Sequence, residues 1–350
     1  MSGRSDDGSR AIYFTGPRAV EVRTDPRPTP GPGEVLLRVR SSGICTMEQR
    51  LYNGVLEMYP ISPGHEPAAE VVEVGAGVTS VAPGDHAIVS FLPRCMQCHF
   101  CRVGESDKCV VRRPREEGVP VKFGGFSEYA IASGHQVFRV SASLPWHEAA
   151  LGEPLACTIH SVRQAGLELG EDVLVVGGGT MGQLHVLTAH LRGARVLLSE
   201  PDRDKLAVGL EHGAAIGVDP TRENLLDVVR DATDGRGVDA LFITAGGDAG
   251  RTALRSLRKG GRAIFYSGYY PPAEWTMDPD WIHRDQVALV GAVNQTLEDW
   301  LAASRMLSGG ILEVGHLVSG RYQIEDINEA MQVATSGRGF RVIVEMGGDR

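Results

Sequence analysis

Along the N-terminal part of the chain, short apolar, β-branched runs alternate with turn clusters. Val35 to Val39, Val71 to Val74 and Ala87 to Phe91 are such runs. Pro30-Gly31-Pro32-Gly33, Gly75-Ala76-Gly77 and Pro83-Gly84-Asp85 bound them, and this pattern predicts a small, loop-rich β-domain. Near Glu153 the texture changes. A helical stretch over Ala156 to Gln164 precedes an apolar strand, Asp172 to Val176. Helices over Met181 to Leu191, Arg203 to His212, Arg222 to Thr233 and Thr252 to Leu257 are then predicted. They alternate with strands at Arg195 to Ser199, Ala215 to Val218, Ala240 to Thr244, Ala263 to Ser267 and Val287 to Val293. Strand and helix in alternation mean parallel βαβ units and a doubly wound sheet. A helix over Leu297 to Leu307 and a strand over Arg341 to Glu345 close the pattern. The polar stretch Met1 to Arg10 reads as a disordered lead with no hydrophobic segment.

A chain of 350 residues suggests two domains, and 42% hydrophobic residues suffice for sizeable cores. The formal charge of −9 argues against a nucleic-acid partner, which needs clustered cations. No apolar run approaches the ~20 residues that span a bilayer, so no membrane partner is expected. Six cysteines, four of them between Cys95 and Cys109, fit metal-bound thiolates in a reducing cytoplasm better than a disulfide scaffold.

The spacing Cys95-x2-Cys98-x2-Cys101-x7-Cys109 suits zinc, whose tetrahedral shell four thiolates would close. A closed shell stabilises structure without doing chemistry. An iron–sulfur reading uses similar spacing, but Val110, not proline, follows Cys109.

A second motif follows the apolar strand: Gly177-Gly178-Gly179-Thr180-Met181-Gly182, a G-x-G-x-x-G turn opening a helix. Gly177 would make the tight turn, Gly179 would let a pyrophosphate approach, and Gly182 would allow close helix–sheet packing. The helix N-terminus at Thr180 and Met181 would hold the phosphates. Glu200, eighteen residues past Gly182, ends the next strand and would accept the ribose hydroxyls, favouring NAD over NADP. Arg203 and Lys205 stand close enough in sequence to reach a 2′-phosphate instead.

Cys45, Gly64-His65-Glu66 and Gly152-Glu153-Pro154 are each ambiguous alone. With the cysteine loop, Gly124-Gly125-Phe126-Ser127-Glu128-Tyr129 and the glycine turn, they resemble the zinc-dependent medium-chain dehydrogenase/reductase family, from about Ala11 to the C-terminus. The resemblance implies an α/β protein: a chaperonin-like, β-rich catalytic domain over 1–152 and 296–350, around a Rossmann domain over 153–295. It implies two zinc ions per chain, NAD, a small-molecule substrate and a homodimer or homotetramer. Cys45 and His65 would ligate a catalytic zinc. Glu153 stands where alcohol dehydrogenases carry a cysteine, as in polyol dehydrogenases. In that branch Glu66 is the third ligand, while Glu153 holds the zinc-bound water or serves as an alternate ligand. Cys157 reads as core.

The chain departs from the family where a proton should leave. Its run is Cys45-Thr46-Met47-Glu48-Gln49-Arg50. Met47 replaces the relay hydroxyl and Arg50 the relay histidine, leaving Thr46, water or Glu153 as routes. Glu48 would orient the His65 ring in place of the usual aspartate. Asn294-Gln295 replaces the Arg-Tyr pair of polyol dehydrogenases, pointing to a sugar, cyclitol or aminocyclitol alcohol. Two alternatives remain: an epimerase with tightly bound NAD and no net redox change, and a non-catalytic relative. From Glu200 we expect NAD to be preferred over NADP by at least about tenfold, on the order of 1.4 kcal/mol. Glu200→Ser should narrow that gap in initial rates with each coenzyme.

Overall fold

The computed structural model describes residues 8–111 and 119–347. It divides into two compact units, Met1–Ala156 with Thr296–Arg350, and Cys157–Gln295.

The first unit is built on a seven-stranded sheet. Its order is Val318–Gln323, Arg341–Glu345, Glu34–Gly43, Glu66–Val74, His86–Val89 and Val137–Val140, with Tyr129–Ser133 also pairing to Glu34–Gly43. Along Glu34–Gly43 the side chains of Val35, Leu37 and Val39 enter the core with the two-residue period of a strand. Ile12, Phe14, Val71, Phe126 and Met331 meet them there. A second sheet pairs Gly8–Gly16 with Ala19–Pro26, and then runs on to Ile61–Ser62 and Val121–Lys122. The lead was expected to be disordered through Arg10, yet Gly8 to Arg10 already form strand, paired to Pro26, Asp25 and Thr24. The rest of that lead lies outside the described residues.

The second unit carries a six-stranded, wholly parallel sheet. Its order is Ala214–Val218, Arg195–Ser199, Asp172–Val176, Val238–Ile243, Leu257–Phe265 and Ala288–Gly291. Both faces are covered, so the central strands are apolar throughout. Val173, Val175, Val196 and Leu198 enter one core, and Leu174, Val176, Leu197 and Leu241 enter the other. This is the doubly wound sheet the alternation predicted.

Element ends moved where caps and turns intervene. The helix expected over Arg222 to Thr233 spans Leu225–Ala232, because the Asn224 side chain caps the amides of Leu226 and Asp227. The stretch read as helix from Thr252 to Leu257 is a short helix, Ala249–Ala253, then one 3₁₀ turn, and Leu257 already begins a strand.

The Asp172–Val176 strand turns into the helix Thr180–Leu191 through Gly177, whose φ is +99°. A Cβ on Gly182 would lie 1.8 Å from the Gly177 carbonyl oxygen, so only glycine lets helix and turn meet. Gly182→Ala should therefore cost about 1–3 kcal/mol by overpacking. Urea denaturation of the variant measures that loss.

Candidate active site and metal centres

Cys45 caps the short helix Thr46–Tyr52, and Glu48 stands in its first turn. The Glu48 carboxylate is fully buried. Its Oε2 accepts from the Cys45 amide at 3.0 Å, and its Oε1 accepts from the Gly64 amide at 3.1 Å. The same Oε1 lies 2.9 Å from His65 Nδ1. Burial alone would raise this carboxyl, but the His65 ring and the amides outweigh it and hold the group below its ordinary range. Burial would likewise lower His65, yet Glu48 raises it well above its ordinary value. With Nδ1 engaged, Nε2 is the nitrogen left to ligate.

Glu66 begins the strand Glu66–Val74 and pairs in register with Gly43. A Cβ on Gly43 would fall 2.1 Å from Glu66 Oε2 and 3.3 Å from Arg341 Cδ, so this glycine is what admits both side chains. Arg341 Nη2 stands 3.0 Å from Glu66 Oε1, and its Nη1 donates to the Ile44 carbonyl at 3.0 Å. Despite that ion pair, neither Glu66 oxygen has a hydrogen-bond partner among the described residues. Burial pushes the Glu66 carboxyl up to about 7; Arg341 opposes the rise and Glu153 adds to it. Glu153 is buried in the first turn of the helix Gly152–Ala165. Ligand atoms of His65, Glu66 and Glu153 lie within 4.8 Å of one another, as do those of Cys45, Glu48 and His65. The two groups share His65, and Arg341 is the cation beside Glu66. Buried carboxylate oxygens without a hydrogen bond are a fit for a divalent metal, which supplies both charge and coordination.

Met47 packs against the apolar core, Thr46 is exposed, and Arg50 sits in the last turn of the same helix. Cys157 is buried, matching its reading as core. Gln295 is fully buried and Asn294 has a φ of +61°. Arg341 escaped the sequence reading. Its one signal is a lone cation heading the apolar run Val342-Ile343-Val344.

The four loop cysteines also place their sulfurs within 4.8 Å of one another. Cys95 Sγ accepts from the Cys98 amide at 3.2 Å, and Cys109 Sγ from the Cys95 amide at 3.4 Å. Amides of Cys101 and Val110 pull the Cys98 thiol down to about 6, while burial pushes Cys101 up to about 12. Thiolates this close repel unless a cation sits among them, which suits zinc. Buried Arg94 ties the loop down by donating to Ser106 Oγ at 3.3 Å.

In the second unit a Cβ on Gly179 would meet nothing within 4 Å, leaving room beside the helix N-terminus at Thr180 and Met181. Thr244 Oγ1 braces the turn from the next strand, donating to the carbonyls of Val176 at 2.9 Å and Gly177 at 3.1 Å. Glu200 is buried against the turn and accepts from the Gly178 amide. Arg203 is exposed at the start of the helix Arg203–Glu211, and Lys205 lies two residues on.

This combination of a thiolate loop, a Cys/His/Glu pole and a dinucleotide turn defines a metal-linked oxidoreductase. Residues 31–142 match the model of the alcohol dehydrogenase GroES-like domain, and residues 180–309 that of the zinc-binding dehydrogenases. An L-threonine 3-dehydrogenase of Pyrococcus horikoshii is 31% identical, over 90% of this chain and 92% of its own. A sorbitol dehydrogenase of Halalkalibacterium halodurans is 28% identical over 92% of this chain and 94% of its own. A Sinorhizobium meliloti protein, described as a zinc-binding dehydrogenase and solved with NADP, superimposes with a TM-score of 0.86 at 26% identity. That likeness covers 97% of this chain and 100% of that one. The chain belongs to the zinc-dependent medium-chain dehydrogenase/reductase family, in its polyol dehydrogenase-like branch, and is an enzyme.

Because Glu48 orients His65, Glu48→Gln should weaken zinc at the Cys45/His65 pole by about 10–100-fold. Chelator competition followed by metal analysis reads this, with the four-cysteine metal retained.

Proposed function

We propose that this enzyme oxidises a secondary alcohol with NAD, or reduces the matching ketone, on a substrate bearing neighbouring hydroxyl or amino groups. The observation that carries the reading is the buried Glu66 carboxylate, ion-paired to Arg341 but without a hydrogen bond among the described residues, beside His65 and Glu153. The domains are assigned as 1–152 with 296–350 for catalysis, and 153–295 for coenzyme. Cys45, His65 and Glu66 are assigned to the catalytic zinc, and Cys95, Cys98, Cys101 and Cys109 to a structural one. Gly177 makes the tight turn and Gly182 the close helix–sheet packing, so that Gly179 and the amides of Thr180 and Met181 receive the coenzyme phosphates. Glu200 receives the adenosine ribose. The relatives named for threonine and sorbitol support an alcohol flanked by amino or hydroxyl groups. A homodimer or homotetramer in the cytoplasm completes the proposal. Among the described residues no helix is long and apolar enough to cross a membrane.

Bound zinc supplies Lewis-acid polarisation of the substrate oxygen, and bound NAD supplies the hydride acceptor. The chain's own residues do the rest. Glu48 fixes which His65 nitrogen is free, Arg341 balances the Glu66 charge, and Glu153 takes the alcohol proton. Glu153 has this last role because Met47, held in the core, offers no hydroxyl.

Mild chelation should remove one zinc and abolish turnover while the fold survives, because the four-thiolate shell is closed. Loss of both metals together with unfolding would overturn the two-site assignment. A panel of polyols, cyclitols and amino sugars, read by NADH absorbance, tests the reaction. Turnover of substrate with bound NAD and no net NADH would instead favour epimerisation, which the blocked relay position also allows.

General acid–base groups contribute ~10²–10⁴-fold, so Glu153→Gln should lower turnover by about two orders of magnitude with zinc retained. Met47→Ser should partly rescue that variant. Zinc loss in Glu153→Gln, by metal analysis, would make Glu153 a ligand in place of Glu66.

A further inference from the structure

The glycine turn is held by a ring of hydrogen bonds that closes on one glutamine. Both backbone groups of Gly178 have side-chain partners. Its amide donates to Glu200 Oε2 at 2.5 Å, and its carbonyl accepts from Gln183 Nε2 at 2.9 Å. The same Gln183 Nε2 donates to the Lys205 carbonyl at 2.8 Å. Glu200 Oε1 accepts from the Asp202 amide at 2.9 Å, and Asp202 Oδ1 accepts from the Lys205 amide at 3.2 Å. The ring thus runs from Gly178 through Glu200, Asp202, Lys205 and Gln183 back to Gly178. It joins the turn that faces the phosphates to the acid that faces the ribose. A Cβ on Gly178 would fall 2.8 Å from Glu200 Cγ, so the contact also depends on that glycine.

Gln183 is only 1% exposed, and its Oε1 is buried with no partner among the described residues. Turning the amide over would set that oxygen against two carbonyl oxygens, so its orientation follows from its neighbours. An unpaired buried amide oxygen is unfavourable, and a methionine of similar length would avoid it. What glutamine adds is its two donated bonds, both to backbone that frames Glu200.

We propose that Gln183 is a positioning residue for coenzyme choice: it holds the Gly178 peptide and the first turn of Arg203–Glu211, and so keeps the Glu200 carboxylate set toward the ribose. This rests on the reading of Glu200 as the ribose acid. Without the clamp, Glu200 can yield to a 2′-phosphate, and exposed Arg203 stands at the same helix start to meet it.

Calorimetric titration with NADH and NADPH tests this on the unmodified protein, Gln183→Met, Gln183→Leu, Glu200→Gln and the Gln183→Met/Glu200→Gln pair. Thermal melting checks folding, and the leucine variant reads the role if the methionine one does not fold. The NADH Kd should rise about five- to tenfold in Gln183→Met, the size of one lost hydrogen bond, while that of NADPH stays within about twofold. If Gln183 acts through Glu200, adding Gln183→Met to Glu200→Gln should change NADH binding by less than about twofold. Equal weakening of both coenzymes, or additive effects in the pair, would overturn the proposal, as would an unchanged NADH preference in Gln183→Met. An unmodified protein that binds NADH no better than NADPH would refute the role of Glu200 itself, a result distinct from any of these.

Discussion

The metal pole hangs on one buried carboxylate. Glu48 ties together the start of a helix, a glycine turn and an imidazole, through Cys45, Gly64 and His65. A fully buried carboxylate is tolerable only when such partners satisfy it, and here each partner belongs to the candidate site. The charge that Glu48 keeps therefore sets both where Cys45 begins its helix and which nitrogen His65 offers.

Close backbone approach is the companion constraint. Gly43 lets Glu66 and Arg341 share one point of the sheet, and Gly178 lets Glu200 lie against the coenzyme turn. In each place an acid is brought to a spot that any Cβ would occupy. Arg341 then offsets part of the negative charge gathered around Glu66.

The departure at Met47 changes what the site can do without changing what it can bind. An apolar side chain packed on the core cannot pass a proton, whereas Cys45 stays grouped with Glu48 and His65, and His65 with Glu66 and Glu153. Under the proposed function the proton step falls to Glu153, a buried carboxylate grouped with His65 and Glu66.

The sequence alone determined the doubly wound sheet, the glycine turn and the thiolate loop. These signals are local: continuous apolar strands alternating with helices, glycines at set spacing, and cysteines within one short loop. The strands Ala19–Pro26 and Val318–Gln323 were illegible, since most of their positions are polar or exposed and no apolar run marks them. Arg341 was illegible for a different reason: its partner lies far along the chain. Its contact with Glu66 exists only because Arg341–Glu345, Glu34–Gly43 and Glu66–Val74 lie side by side in one sheet. Gln183 reads as one more helix residue until folding carries Lys205 to its side chain. Tertiary structure decided these roles because a buried polar atom takes its meaning from whichever partner the fold delivers.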